Sequence, residues 1–268
     1  MQSGGRRRDG IDQAVVLGMS MWSGMSEGGP AGLSYAAILV RVDPPAAARQ
    51  QVLDALHSVR FTGWLGPEEQ GWVVAVAERG AGTVAAHRRG VLGVAEDLAG
   101  RLGVPLVAVR VAGDRQLALS VWADGAEVGR YVSDPSHGLN DETVLPDPLG
   151  VEHAEDFAAA VGRPEVGEKL RELLADELAS DDEIESERLS RVLRLLGLPD
   201  WLVAASSLPR DVPGGPRSGE FTRLGAGVPG IAGRVAGRAA QVARTRRRPP
   251  PVVSDPPRAD PSADWGLW

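Results

Sequence analysis

The residues with the most chemical potential lie between Arg130 and Asp147. Asp134, His137, Asn140, Asp141, Glu142 and Asp147 bring carboxylates, an amide and an imidazole into one short stretch. Arg130 stands just upstream and offers a fixed cationic fork for an anionic ligand. Oxygen ligands at irregular spacing suit a hard cation. The alternating acids and central glycine of a calcium loop are missing, however, and Asp and Asn are also ordinary turn residues. A ligand site is therefore expected, if anywhere, at Arg130, Asp134, His137, Asn140 and Asp141, with a solvated loop as the competing reading.

Three other patterns fail on context. Gly80–Ala85 fits G-x-G-x-x-A between a strand and a helix, where backbone N–H groups at a helix start hold a pyrophosphate. Glu78 and Arg79 part the glycines from the strand, and no acid follows at the distance that holds a ribose. Gly24–Gly28 spells G-x-S-x-G but lacks the strand and helix that strain a nucleophilic serine outward. His57, His87, His137 and His153 show no metal-binding spacing, and the chain has no Cys, which excludes thiolate chemistry, disulfides and cysteine-type zinc. No catalytic residue, metal or cofactor is assigned, and the reading leans away from an enzyme.

The elements around these residues follow from apolar patterning. Tyr35–Val42 is a continuous apolar run of strand length, as in a strand buried on both faces. Pro44-Pro45 opens a helix with Val52, Leu53, Leu56 and Val59 as its stripe. Residues 59–65 and 71–78 read as antiparallel strands about Gly66-Pro67. A second helix runs from about His87 to Leu102, with Val91, Ala95, Leu98 and Leu102 on one face, and the strand after Pro105 follows. Strand, helix, strand, strand, helix, strand is the succession of a ferredoxin-like split βαβ antiparallel sheet with two helices on one face.

A β-hairpin over residues 115–135 extends that sheet, because Asp124-Gly125 suits the two positive φ angles of a type I′ turn. A two-residue turn pairs Ala123 with Ala126. Regular alternation then sets Val121 opposite Val128, Leu119 opposite Arg130 and Leu117 opposite Val132 on one face. Trp122, with Glu127 opposite, and Tyr131 fall on the other. Arg130 becomes the lone charge on an apolar face, so it needs an acid, carbonyls or a path for its stem to water.

Beyond the loop, helices are expected over 152–161, 164–178 and 182–196. Val166, Leu170, Leu173 and Leu174 form the stripe of the second, and Leu189, Val192, Leu193 and Leu196 that of the third, with Gly197 as its C-cap. Trp201-Leu202-Val203 should pack back on the body.

The segments YVSDP, EVGEKLRELL and ERLSRVLRLLGLP, taken together, resemble those of small bacterial α+β proteins in which a strand-rich half precedes short acidic helices. The likeness spans residues 35–205 and implies that fold, with no assigned activity attached to it. Arg supplies almost all of the 29 basic residues, as in GC-rich bacterial coding.

The domain expectation is an extension at 1–33 without order, an α+β domain at 34–205 and a Pro/Gly/Arg-rich disordered tail at 206–268. Within the domain the sheet and its two helices take 34–135, and the acidic helices take 151–205. Arg6–Arg8 followed by Ala14–Trp22 imitates a secretory signal, but Asp9 and Asp12 interrupt it and no small-x-small site follows. Met25 stands beside Met1 as a candidate start. No apolar run is long enough for a transmembrane helix, and a reducing cytoplasm is the expected compartment.

The net charge of −7 hides segregation: 152–187 is strongly acidic and 216–248 strongly basic. Arginines interleaved with Ile231, Val235 and Val242 form a basic amphipathic pattern over 231–248, suited to weak contact with anionic lipid or nucleic-acid phosphate. Protein partners are expected to engage Arg246, Arg247, Arg248, Trp265 and Trp268. The sequence therefore points to a non-enzymatic interaction or regulatory protein, with a small-ligand binder or enzyme using Arg130 and residues 134–147 as the alternative.

Overall fold

A computed structural model describes residues 33–42, 45–78, 90–135, 147–176 and 184–233, with 235–236 and 238–239. The chain runs β1 (Tyr35–Arg41), α1 (Pro45–Ser58), β2 (Gly63–Glu69), β3 (Trp72–Ala77), α2 (Val91–Leu102), β4 (Leu106–Ala112), β5 (Gln116–Ala123) and β6 (Ala126–Val132). It continues with α3 (Ala154–Ala160), α4 (Gly167–Ala175), α5 (Glu185–Leu196), a 3-10 segment (Asp200–Ser207), β7 (Thr222–Gly225) and β8 (Val228–Pro229). The fold is α+β. All eight strands join one antiparallel sheet in the order β6-β5-β4-β1-β3-β2-β7-β8.

The central strands are apolar on both faces, and each face has its own cover. Ile38, Val40, Val73, Ala75, Ala108 and Trp122 pack under α1 and α2, whose inward stripes include Val52, Leu56, Val94, Ala95 and Leu98. Ala37, Leu39, Val74, Val109, Leu119 and Val121 face the other way, against α3, α4, α5 and the 3-10 segment. Leaving either face wet would forfeit about 1.5–3 kcal/mol for each large aliphatic side chain, so the acidic C-terminal helices are a structural layer. Their expected stripes are buried, Leu173 only partly, and Gly197 caps α5 in the left-handed region at φ 66°.

Three expectations change. The β2–β3 turn lies at Gln70-Gly71, with φ 54° and 78°, and not at Gly66-Pro67. Pro67 has no N–H for the ladder, and the register shift between Leu65 and Glu68 leaves Gly66 and Pro67 unpaired inside the strand.

The hairpin turn is as expected, Asp124 and Gly125 having φ 51° and 79°. A bulge then inserts Val128, so Trp122 pairs with Glu127, Val121 with Gly129, Ser120 with Arg130 and Leu119 with Tyr131. Tyr131 consequently shares a face with Leu119 and Val121 in the core, and Arg130 is moved off that face. The bulge sits where β6 meets His153: a Cβ on Gly129 would lie 2.4 Å from His153 Cγ.

The folded body also passes residue 205. Residues Thr222–Leu224 pair with β2, and Leu224 is buried under the α1 and α2 face. Glycine and proline dominate the composition there, but Leu208, Val212 and Leu224 are buried and the open edge of β2 takes up the strand. The N-terminal extension 1–32 and the tail beyond 239 lie outside the described residues.

Candidate functional site

Of the expected ligand residues, Arg130 and Asp134 are among the described residues. Arg130 sits on the edge strand β6, where its Nη2 donates to Glu127 Oε2 at 2.6 Å. This answers the expectation of a partner acid: the bulge turns the guanidinium toward its own strand's carboxylate. Asp134 is partly buried, and its backbone carbonyl accepts a hydrogen bond from Gln116 Nε2. His137, Asn140, Asp141 and Glu142 lie outside the described residues, as do Gly80–Ala85, Arg246, Arg247, Arg248, Trp265 and Trp268. Among the described residues no group of three or more His or acidic side chains is placed to hold a metal.

What the fold gathers instead is a buried polar cluster where β1 begins, β4 turns into β5, β6 ends and α5 starts. Tyr35 Oη donates to Ser186 Oγ at 3.1 Å, and Ser186 donates to the Asp114 carboxylate. The second Asp114 oxygen accepts from the Leu33 N–H at 2.7 Å. Alongside, Arg188 Nη1 donates to Tyr131 Oη at 2.7 Å and Arg188 Nη2 to the Asp176 carbonyl at 2.6 Å. Tyr131 Oη in turn donates to the Leu174 carbonyl at 3.0 Å.

Glu185 and Arg188, only 1% and 4% exposed, form an ion pair with Arg188 Nε 3.5 Å from Glu185 Oε2. Burial pushes the Glu185 carboxyl above the usual range, against the Ser133 hydroxyl and Arg188, with Asp134 and Asp114 adding to the rise. Burial likewise raises the Tyr131 phenol to about 12 and the Tyr35 phenol well above its ordinary value. These groups are held neutral or paired; Tyr35–Ser186–Asp114 and Arg188–Tyr131 join α5 to the sheet, and Tyr131–Leu174 joins the end of α4 to it. The cluster's chemistry is adhesion between layers. Sequence spacing could not reveal it, since Tyr35, Asp114, Tyr131 and Glu185 are far apart in the chain.

The most exposed large apolar side chains among the described residues lie on a C-terminal helical stretch. Helical backbone appears at 230–233, 235–236 and 238–239, directly after β8. Gly233 presses against that turn, where a Cβ would meet the Val228 carbonyl oxygen at 1.7 Å. This fixes which side points out. Ile231 and Val235, one turn apart, are 71% and 65% exposed, and Arg238 is exposed beside them. The interleaving of apolar residues and arginines was legible in the sequence. Its attachment to the sheet edge through β7 and β8 was not.

No family model, no curated protein and no solved structure matches the chain.

Proposed function

We propose that this chain is a non-enzymatic, cytoplasmic interaction protein whose folded body presents a basic C-terminal helix to an acidic protein partner. The observation that carries this reading is the outward placement of Ile231 and Val235 on a helix whose inner side is pinned by Gly233. Large aliphatic side chains in adjacent turns are ordinarily covered, and the arginines at 234, 238, 244 and 246–248 select a negatively charged cover. Trp265 and Trp268 would add aromatic anchors to the same contact.

The body that carries the helix is read as a ferredoxin-like split βαβ unit with additions. Supporting this, the inner order β4-β1-β3-β2, all antiparallel, has both of its connecting helices on one face. The hairpin β5–β6 is added at one side, β7–β8 at the other, and the acidic helices over the open face. The resemblance to small bacterial α+β proteins rests on the same strand-rich half followed by acidic helices. The alternative reading is a small-ligand binder or enzyme using the 134–147 loop with Arg130, whose guanidinium is engaged by Glu127.

The test compares affinity capture by the full chain, by a chain ending at Gly233 and by the double variant Ile231→Asp, Val235→Asp. Both alterations spare β7 and the core. Acidic partners retained by the full chain at low salt should be lost from both altered proteins. Identical partner lists from all three would refute the reading, and capture of anionic vesicles or nucleic acid alone would replace the protein partner.

A further inference from the structure

A second feature lies on the sheet face opposite α1 and α2, and strand alternation builds it. Trp64 on β2 pairs with Val76 on β3 and with Arg223 on β7, so the three side chains share a face. Glu78 follows Val76 by two residues, and Tyr35 precedes Ala37, the β1 partner of Val76, by two. Both return to that face. Leu208 and Pro209, after the 3-10 segment, close the opposite wall and leave a cleft of about 230 Å³.

The cleft is divided by chemistry. Its interior is formed by Tyr35, Trp64, Val76 and Leu208, all buried. Its mouth is formed by Glu78, partly buried, and Arg223, exposed, with Arg223 Nη2 donating to Glu78 Oε1 at 2.7 Å. The guanidinium carbon also lies 5.6 Å from the Trp64 ring centroid, a cation–π contact that holds the fork in place.

We propose that this cleft binds a free α-amino acid with an apolar side chain. The volume lies below the roughly 300–1,000 Å³ of pockets for drug-sized ligands, so the occupant is small. The walls call for an aliphatic or aromatic group. The mouth sets a carboxylate beside a guanidinium: a simple anion is repelled by Glu78 and a simple cation by Arg223, whereas an ammonium and a carboxylate borne by one carbon satisfy both. Arg223 is already oriented by Trp64, so little side-chain freedom is lost on binding. This ligand site is separate from the C-terminal helix and does not depend on the partner reading.

The experiment is calorimetric titration of the full chain with L-leucine and L-tryptophan, beside glycine, isocaproate and isoamylamine. Both apolar amino acids should bind, with glycine, the des-amino acid and the amine weaker by tenfold or more. Arg223→Gln should abolish binding with an unchanged circular dichroism spectrum. Glu78→Gln keeps a hydrogen-bond acceptor for Arg223 but removes the ammonium's partner, so isocaproate should then bind as well as L-leucine. The double variant at Ile231 and Val235 should bind like the parent, which separates this proposal from the docking reading. No heat with either apolar amino acid at millimolar concentration, or equal binding by the parent and both cleft variants, overturns the assignment.

Discussion

Arg188 on α5 donates to the hydroxyl of Tyr131 on β6 at 2.7 Å, and both side chains are buried. Tyr131 reaches that position because Val128 is bulged out of the hairpin. The bulge thereby couples the sheet's edge to the helical layer that covers it.

Truncating this link should be costly. Arg188→Ala leaves Glu185 buried without its cation and is expected to lower stability by about 3–5 kcal/mol. Replacing Glu185 and Arg188 together by Leu should cost far less, because no buried charge is then stranded. Urea denaturation of the three proteins measures the difference, and equal losses would show that the pair is not acting as a pair.

Stability should fall as pH rises because of Glu185. Its carboxyl is raised in the folded protein, chiefly by burial, so the native state holds this proton more tightly than the unfolded chain. That contribution is complete below the unfolded carboxylate value of about 4.3 and is lost as pH climbs through the raised folded value. Glu185→Gln should flatten this slope in urea midpoints taken across the mildly acidic to neutral range. Tyr131 acts in the same sense at alkaline pH, between the ordinary phenol value near 10 and about 12. Parallel pH profiles for the parent and Glu185→Gln would contradict the assignment.

Deleting Val128 should be tolerated. The pairs Trp122–Glu127 and Leu119–Tyr131 exist on either side of it, so its removal closes the ladder without turning Tyr131 outward. We expect a loss of about 1–2 kcal/mol from its partly buried side chain. Without a bulge in the native protein, the same deletion would expel Tyr131 from the core and unfold the hairpin, which loss of near-ultraviolet dichroism would reveal.

Leu224 tests the extent of the folded body. Leu224→Ala should cost about 2–5 kcal/mol, the range for an aliphatic side chain removed from a packed core. Segments with no fixed packing are indifferent to such a change, so an unaltered urea midpoint would return residues 222–225 to the tail.

Local patterning made much of this protein legible. The apolar runs of β1, β3 and β4, the stripes of α2, α4 and α5, the glycine C-caps at Gly103 and Gly197 and the tight turn at Asp124-Gly125 are all determined by neighbours within a few residues. Backbone sterics and helical or strand periodicity act at that range, so these features survive without knowledge of the fold. The interleaved arginines and aliphatics after Gly230 belong to the same class.

Tertiary structure decided what depends on distant partners. His153, far along the chain, packs where β6 has glycine at 129, and the bulge beside it reverses the faces of Arg130 and Tyr131. The open edge of β2 recruits Thr222–Leu224 from a stretch whose composition reads as tail, and so brings Arg223 beside Trp64 and Glu78. Glu185 and Arg188 look like one solvated turn of an acidic helix until α5 lies on the sheet. In each case the deciding energy comes from surface that only the assembled layers remove from water, which no local window of sequence contains.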